Sequence, residues 1–264
     1  MEKAKVFLSD PQVLFREGIH FILSGEDDFE VVGETTSNED ALTHIMANPP
    51  NIAVLSMHNG KYDGPEITRR IKRSMPSVAV ILIMERADNT QLFAAIKSGA
   101  SACLTKNSDP DYLLDIIRVV SQGSQPAIDT LLQQDIAAMV LADFKETAAI
   151  NAELDNILAA LGPKEAELLN NISAGKTIEQ VSVELNINEE NIRRNLRVIL
   201  NKMVANDQSR TLYETAQRNI PMMMRNPGRP QGAGGDYVTR EEFNEFKESL
   251  MERLKSLIGE LTSS

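Results

Sequence analysis

The first 120 residues alternate between two hydrophobic periods, and no other feature of the chain constrains its fold as strongly. Short apolar runs rich in β-branched residues are followed by amphipathic stretches with the spacing of a helix. The runs cover residues 5–8, 29–33, 52–55, 78–83 and 102–104. The stretches cover residues 12–23, 38–46, 65–73, 90–97 and 111–120. This order predicts an α/β domain over residues 1–125, in which a five-stranded parallel sheet is covered by helices on both faces.

The remainder of the chain has mostly helical patterns. Residues 126–160 lack glycine and predict a helical linker, which is either a packing spacer or a dimer-forming arm. Residues 161–218 predict short helices, with Pro163 suited to a first helical turn. Residues 219–238 hold three prolines and four glycines and predict a flexible linker. Residues 239–264 predict a C-terminal amphipathic helix, whose apolar stripe indicates self-association, a protein partner or docking onto its own chain.

Two helices joined by a tight turn are predicted in the second half of the chain. Thr177 can cap a helix that ends at Leu185, and Asn186 follows where a left-handed backbone is tolerated. Asn188 can cap the next helix, which we expect to end at Met203. A short helix, a tight turn and a longer helix form a helix-turn-helix, which in DNA-binding proteins places its second helix in the major groove.

The distribution of charge narrows the range of partners. The formal net charge of the 264 residues is −11, which argues against indiscriminate binding to nucleic acid. Residues 161–218 escape this acidity, because they hold eight basic and eight acidic side chains. One cysteine and three scattered histidines provide neither a disulfide nor a metal cluster. The longest apolar run, residues 78–84, is too short to span a bilayer and the start lacks a signal-peptide core, so we expect a soluble, cytoplasmic protein without a membrane partner.

Five short motifs follow one another along the first domain. They are SDPQVLFREG at residues 9–18, FEVVGE at 29–34, YDG at 62–64, KSGAS at 97–101 and LTK at 104–106. Together they resemble the receiver domain of bacterial response regulators, most closely the NarL/FixJ-like subfamily, in which a receiver is joined to a LuxR-type helix-turn-helix. The resemblance covers roughly the first 120 residues and implies the flavodoxin-like receiver fold.

The phosphate-accepting position of this family is altered. Receivers of this kind place an aspartate at the end of the third strand, and they hold Mg²⁺ with that residue and two acids at the end of the first strand. The register set by Asp63 puts Ser56 at the acceptor position, while Ser9 replaces one acid and only Asp10 remains. A serine hydroxyl without a neighbouring base is no substitute for a carboxylate nucleophile. We therefore expect a receiver that does not use aspartyl phosphate and that needs no metal or other cofactor.

Three further positions of the receiver pocket bear on this expectation. By resemblance, the serine or threonine that follows the phosphoryl group is Met84 here, and the switch aromatic of the fifth strand is Cys103. A thioether cannot donate a hydrogen bond to phosphate. Lys106 is retained, and we expect it to form a structural ion pair with Asp10. The first domain is thus interpreted as a degenerate pseudo-receiver.

Residues 161–218 carry a second set of motifs. The pattern LxPxExExL covers residues 161–169, and residues 192–196 read IRRNL. Between them lie the apolar and glycine positions Gly175, Ile178, Val181, Leu185 and Ile187. This segment resembles the LuxR-type DNA-binding domain. Asn195 replaces the usual histidine, Ser182 the usual alanine and Asn186 the usual glycine, and all three have compatible shapes.

Three arginines lie on one broad face of the second predicted helix. Arg193, Arg194 and Arg197 are spaced i, i+1 and i+4, and the planar guanidinium suits guanine edges as well as phosphates. By resemblance they occupy base-reading positions. Four residues lie nearer to phosphate-contact positions: Thr177, Asn191, Asn195 and Lys202. A solvated charged face beside Glu189 and Glu190 is the alternative interpretation.

We interpret the chain as a sequence-specific transcription regulator that binds inverted repeats of double-stranded DNA as a dimer, without phosphorylation. By resemblance, the dimer contact lies in the last helix of the DNA-binding domain, around residues 210–216. Two alternatives stay open. One is a conventional phosphorylation-dependent two-component response regulator, and the other is an adaptor whose helix-turn-helix and terminal helix bind protein. An enzyme is the least favoured class, because no nucleophile–base pair or glycine-rich phosphate cradle occurs at useful spacing.

Overall fold

The computed structural model describes residues 3–58, 62–151 and 158–219, and its first half is built on one parallel sheet. The strands are β1 (Ala4–Ser9), β2 (Phe29–Thr35), β3 (Ile52–Ser56), β4 (Ala79–Met84) and β5 (Ala102–Thr105). Their spatial order is β2-β1-β3-β4-β5, and every neighbouring pair is parallel. Each strand overlaps the run predicted for it. The predicted fold class is therefore confirmed.

Helices cover both faces of this sheet. They are α1 (Val13–Ser24), α2 (Asn38–Ala47), α3 (Gly64–Ser74), α4 (Asn89–Lys97) and α5 (Pro110–Ser121). α1 and α5 pack on one face, while α2, α3 and α4 pack on the other. Because side chains alternate along a strand, neighbours such as Val54 and Leu55 enter different cores. Ser37 and Asp88 fix the starts of α2 and α4, since each side chain accepts a hydrogen bond from a backbone N–H in the first turn.

The second half of the described chain is helical. It contains a 3₁₀ segment (Pro126–Leu132), α6 (Gln134–Asn151), α7 (Pro163–Ser173), α8 (Ile178–Leu185) and α9 (Glu189–Asn219).

The predicted caps and turn of the helix-turn-helix are present. Thr177 caps α8 by accepting a hydrogen bond from the N–H of Gln180, and Asn186 closes the helix in the left-handed region with φ 51° and ψ 47°. The Asn188 side chain accepts a hydrogen bond from the N–H of Asn191 at 2.8 Å, at the start of α9. These contacts confirm the helix boundaries predicted on both sides of the turn.

α9 is longer than predicted, and here the expectation was wrong. It spans 31 residues and ends at Asn219 instead of Met203. The separate last helix expected around residues 210–216 is fused to it. Residues 204–218 contain neither glycine nor proline, so nothing in the local sequence stops the helix. Ala205, Asn206 and Ser209 are buried, which shows that this extension packs against other parts of the chain.

The linker between the two halves is part of a shared core. Ile136 and Val140 of α6 pack in one apolar cluster with Ile96 of α4, Leu168 of α7 and Leu196 of α9. All of these side chains are almost completely buried. Within the chain, the linker therefore serves as packing material that joins the receiver-like half to the helical half.

The helical linker was predicted to continue to residue 160, but the chain is no longer helical there. Residues 158–162 are not helical. The Asn206 side chain holds this segment from α9, because its amide oxygen accepts the N–H of Ala159 at 2.7 Å and its amide nitrogen donates to the Ala159 carbonyl at 2.9 Å. A long-range pair of hydrogen bonds thus replaces local helix formation.

Two predicted segments lie outside the described residues. They are the flexible linker from residue 220 onward and the C-terminal amphipathic helix of residues 239–264. Asn219, the first residue of the predicted linker, is the last residue of α9. Among the helices that the structure describes, none combines the length and the apolar character needed to cross a membrane.

Candidate functional site

The carboxyl edge of the sheet brings together most of the predicted receiver pocket. Ser9 and Ser56 are the last residues of β1 and β3, and Asp10 follows β1 directly. The Lys106 ammonium reaches this edge from the end of β5. Its Nζ lies 3.0 Å from Asp10 Oδ2, so the predicted ion pair is present, and 2.9 Å from Glu85 Oε1. Asp10 and Lys106 are both buried, whereas Glu85 is mostly exposed. The buried carboxylate of Asp10 is therefore neutralised by a lysine of the same chain.

Hydrogen bonds connect the other polar residues at this edge. The Ser9 hydroxyl donates to Asn38 Oδ1 at 3.1 Å, and the Asn38 amide nitrogen donates to the Ser56 carbonyl at 3.1 Å. The Ser56 hydroxyl donates to the His58 carbonyl at 3.3 Å. Arg16 donates to the Asp10 carbonyl at 2.8 Å. The sequence predictions missed Asn38 and Arg16, and the only local signal was the position of Asn38 directly after the Ser37 cap.

Little space remains beside Asp10. The cavity lined by Ser9, Asp10, Phe15 and Arg16 holds about 10 Å³, which is at or below the size needed for one water molecule. α3 also approaches closely, because a Cβ on Gly64 would lie 2.9 Å from the Ser56 carbonyl oxygen and 2.8 Å from the Leu82 side chain. Met84 is buried in the core beneath this edge.

Cys103 belongs to a different surface. It lies in β5 and packs against the cluster formed by α4, α6 and α9. Burial raises the pKa of its thiol to about 12, so the sulfur stays protonated at neutral pH and is a poor nucleophile. The structure thus separates Cys103 from Asp10 and Lys106, with which the sequence had grouped it.

The three predicted DNA-reading arginines lie in the first half of α9, where all three are exposed. Arg193 donates to Asp129 of the 3₁₀ segment at 3.1 Å and lies 3.5 Å from Glu189. Arg194 and Arg197 form no ion pair with any side chain in the described part of the chain. Two of the three guanidinium groups are therefore available to a ligand.

The predicted phosphate-contact residues have mixed surroundings. Thr177 is occupied as the cap of α8, and the Asn195 amide donates to the Asn191 carbonyl one turn earlier at 2.7 Å. Lys202 is held within the fold by an ion pair. Its ammonium donates to the two carboxylate oxygens of Glu165 at 2.9 and 2.7 Å and ties α9 to α7. The side chain of Lys202 is thus held inside the helical half.

A groove separates the arginine face of α9 from the receiver-like half. This interdomain groove has a volume of about 680 Å³, and Arg193 and Arg197 line one wall. The opposite wall includes Leu92 of α4, Cys103 of β5 and Tyr112 of α5. A recognition helix reads bases from inside the major groove, with DNA on both sides of it. The described arrangement, which we term closed, leaves no such room in front of Arg193 and Arg197.

Buried charges hold the closed arrangement together farther along α9, towards its C-terminal end. Arg69 Nε of α3 lies 2.5 Å from Asp207 Oδ2, and Lys97 Nζ of α4 lies 4.0 Å from Asp207 Oδ1. Lys97 also pairs with Asp143 of α6, whose carboxylate lies 3.8 Å from Arg210 of α9. We call these five residues the interface ion cluster. The two carboxylates are largely buried, so the cluster favours one relative placement of α3, α4, α6 and α9.

Comparisons with known proteins find sequence similarity to response regulators. The family described as response regulator receiver domain matches residues 6–118. Transcriptional regulatory protein DegU of Brevibacillus brevis is 28% identical over 219 residues, which cover 81% of this chain and 93% of that protein. A nitrate/nitrite response regulator protein homolog of Haemophilus influenzae is 25% identical over 202 residues, which cover 76% and 91%. The solved receiver domain of the putative response regulator NarL from Mycobacterium tuberculosis is 28% identical, covers 47% of this chain and 99% of that one, and has a TM-score of 0.45.

Proposed function

The chain is a response regulator of the NarL/LuxR type, and from this premise we propose that it is a transcription regulator whose α8 and α9 bind double-stranded DNA. The observation that carries the proposal is the geometry at the start of α9. A left-handed turn at Asn186 joins the two helices, and the exposed residues Arg193, Arg194 and Arg197 follow within three turns. This is the placement that lets side chains near the start of a recognition helix reach base edges.

The surroundings of the predicted DNA-binding residues indicate three roles, which are base reading, phosphate contact and structural support. We assign base reading to Arg193, Arg194 and Arg197, and phosphate contacts to Thr177, Asn191 and Asn195. Lys202 is given a structural role, because Glu165 already holds its ammonium. Residues 161–218 carry no net charge, so sequence-specific binding relies on a dimer that occupies two half-sites of an inverted repeat.

Alanine substitutions of the arginines test this assignment. We expect Arg193→Ala, Arg194→Ala and Arg197→Ala each to weaken binding by about 5- to 150-fold, the range of ~1–3 kcal/mol for loss of a base contact. The measurement is a titration of genomic fragments that the wild-type protein has selected. Arg73→Ala, which removes an exposed arginine of α3, is the matched control and should leave the affinity unchanged. Unaltered binding in all three α9 variants contradicts the assignment, and failure to select any fragment supports the protein-binding adaptor.

We also propose that DNA binding does not depend on phosphorylation. The residues at the carboxyl edge do not fit Mg²⁺, because Asp10 is the one buried acidic side chain there, and Lys106 already pairs with it and with the exposed Glu85. Within the described residues no three metal-ligating side chains converge. Ser56 offers a neutral hydroxyl whose proton is donated to the His58 carbonyl, so it lacks a base.

Treatment with acetyl phosphate and Mg²⁺ tests this second proposal. We expect the intact mass of the protein to stay unchanged, and the affinity for the selected DNA to be the same before and after treatment. The Ser56→Ala variant, treated in parallel, should give the same result as the wild type. An acid-stable or acid-labile phosphate adduct that appears in the wild type together with tighter DNA binding supports the conventional, phosphorylation-dependent regulator instead.

A further inference from the structure

The interdomain groove has the dimensions of a small-molecule site. Its volume of about 680 Å³ falls inside the range of roughly 300–1,000 Å³ that holds drug-sized ligands. Space remains because several lining side chains are small, among them Ala87, Ala102, Cys103 and Ala127. Leu92 and Ile116 add larger apolar surface, and Tyr112 contributes a half-exposed ring. The walls thus offer apolar contact to the body of a ligand.

The charge inside the groove is positive. Arg193 and Arg197 both line it, and Asp129 is the one acidic residue among the residues that do so. Asp129 pairs with Arg193, which leaves Arg197 without an ionic partner in the described structure. A guanidinium beside apolar walls binds an anionic group more strongly than one in open solvent, because the surrounding dielectric is lower.

We propose that the interdomain groove binds a small organic anion, with a carboxylate, sulfonate or phosphate group held by Arg197 and an apolar ring system packed against Leu92, Cys103 and Ile116. This inference rests on the proposed DNA-binding function for its consequence. A ligand in the groove contacts the receiver-like half and α9 at once, so it binds the closed arrangement better than any arrangement in which the halves have separated. By linkage it weakens DNA binding, at most about 100-fold when its concentration is 100 times its dissociation constant.

The first experiment measures binding of a defined probe, 8-anilinonaphthalene-1-sulfonate, which joins a sulfonate to an apolar ring system. Titration of the full chain should give saturable fluorescence with one site per chain. Ala87→Phe fills the groove from an exposed position, and Arg197→Ala removes the anion partner, so each should raise the dissociation constant about tenfold or more. Arg197→Lys keeps the charge and should restore part of the affinity.

Two control variants separate groove binding from adhesion to other surfaces. Arg194→Ala removes the neighbouring arginine, which does not line the groove, and Phe21→Ala removes a phenyl ring of α1 that is 83% exposed. Both should leave the dissociation constant of the probe within about twofold of the wild-type value. Equal effects of Arg194→Ala and Arg197→Ala, or no effect of Ala87→Phe, would overturn the proposed site. Far-ultraviolet circular dichroism confirms that each variant is folded.

The second experiment separates failure of the groove proposal from failure of the DNA proposal. The probe should weaken binding of the selected DNA by the wild type but not by Ala87→Phe, while Arg194→Ala should weaken DNA binding without changing probe affinity. If the probe binds in a way that depends on Arg197 and Ala87 and yet leaves the DNA affinity unchanged, that result would support the site and overturn its regulatory role. If the probe does not bind the groove but DNA binding still depends on the α9 arginines, the groove proposal alone is overturned.

Discussion

The Asp207→Asn variant should bind the selected DNA about 10- to 100-fold more tightly than the wild type. Asp207 is the α9 carboxylate of the interface ion cluster, where it faces Arg69 and Lys97. The substitution keeps the shape of the side chain but leaves these two cations underpaired in the closed arrangement. Hydrogen bonds to charged groups contribute about 1.5–3 kcal/mol, which corresponds to this range of affinity when the loss falls on the closed arrangement alone. Asp207 lies far from the arginine face, so the DNA contacts themselves are unchanged.

Arg70→Gln provides the matched control for this experiment. Arg70 lies on the same helix as Arg69 but pairs with Glu66 at 2.9 Å on the protein surface. Exposed pairs of this kind contribute little to stability, so this variant should bind DNA as the wild type does. Equal DNA affinity of Asp207→Asn and the wild type would show that the closed arrangement does not limit access to DNA.

The Asp10→Asn variant should lower the free energy of unfolding by about 3 kcal/mol. In a conventional receiver this position serves metal binding, whereas here it serves the buried Lys106. Asparagine can still accept the Gln12 N–H, which Asp10 Oδ1 accepts at 2.8 Å, so the substitution removes mainly charge. Lys106 is then left with Glu85, whose side chain is 65% exposed and well hydrated. Urea titration followed by circular dichroism measures the loss.

Two further variants give this prediction its controls. Glu85→Gln removes the exposed partner of Lys106 and should cost less than about 1 kcal/mol. The double variant Asp10→Asn, Lys106→Met replaces the charged pair with neutral groups and should recover most of the lost stability, because the buried charge is gone. If Asp10→Asn costs no more than Glu85→Gln, the pair does not stabilise the domain.

Local sequence patterns were sufficient for the fold of the first half and for the turn before α9. The positions of β1 to β5 follow from hydrophobic period, and Asn186 adopts the left-handed backbone that its place between two helical stretches suggested. The same reasoning failed at the end of α9. Its last part packs against α3, α4 and α6, and a helix extended by tertiary packing shows no sign of this in its own periodicity.

The site was predictable where residues meet at the edge of one sheet. Parallel strands bring their carboxyl ends together, which is why the pair of Asp10 and Lys106 could be anticipated. Arg69 and Asp207 are 138 positions apart, and their contact depends on how the two halves dock. Lys202 was assigned to DNA from its place on α9, but helical spacing defines only a face of the helix, and Glu165 of α7 faces it. Local sequence patterns therefore could not predict contacts between elements that are distant in the sequence.

The unbroken length of α9 has a mechanical consequence. Arg193 precedes Asp207 by 14 residues, which is ~21 Å along a straight helix. A rigid rod pivoting at Asp207 by ~10° would carry the guanidinium end sideways by ~4 Å. A modest loosening where the rod is anchored would therefore be amplified at its tip. Because Arg193 and Asp207 lie on one continuous helix, a change that releases Asp207 also moves the arginines that face DNA.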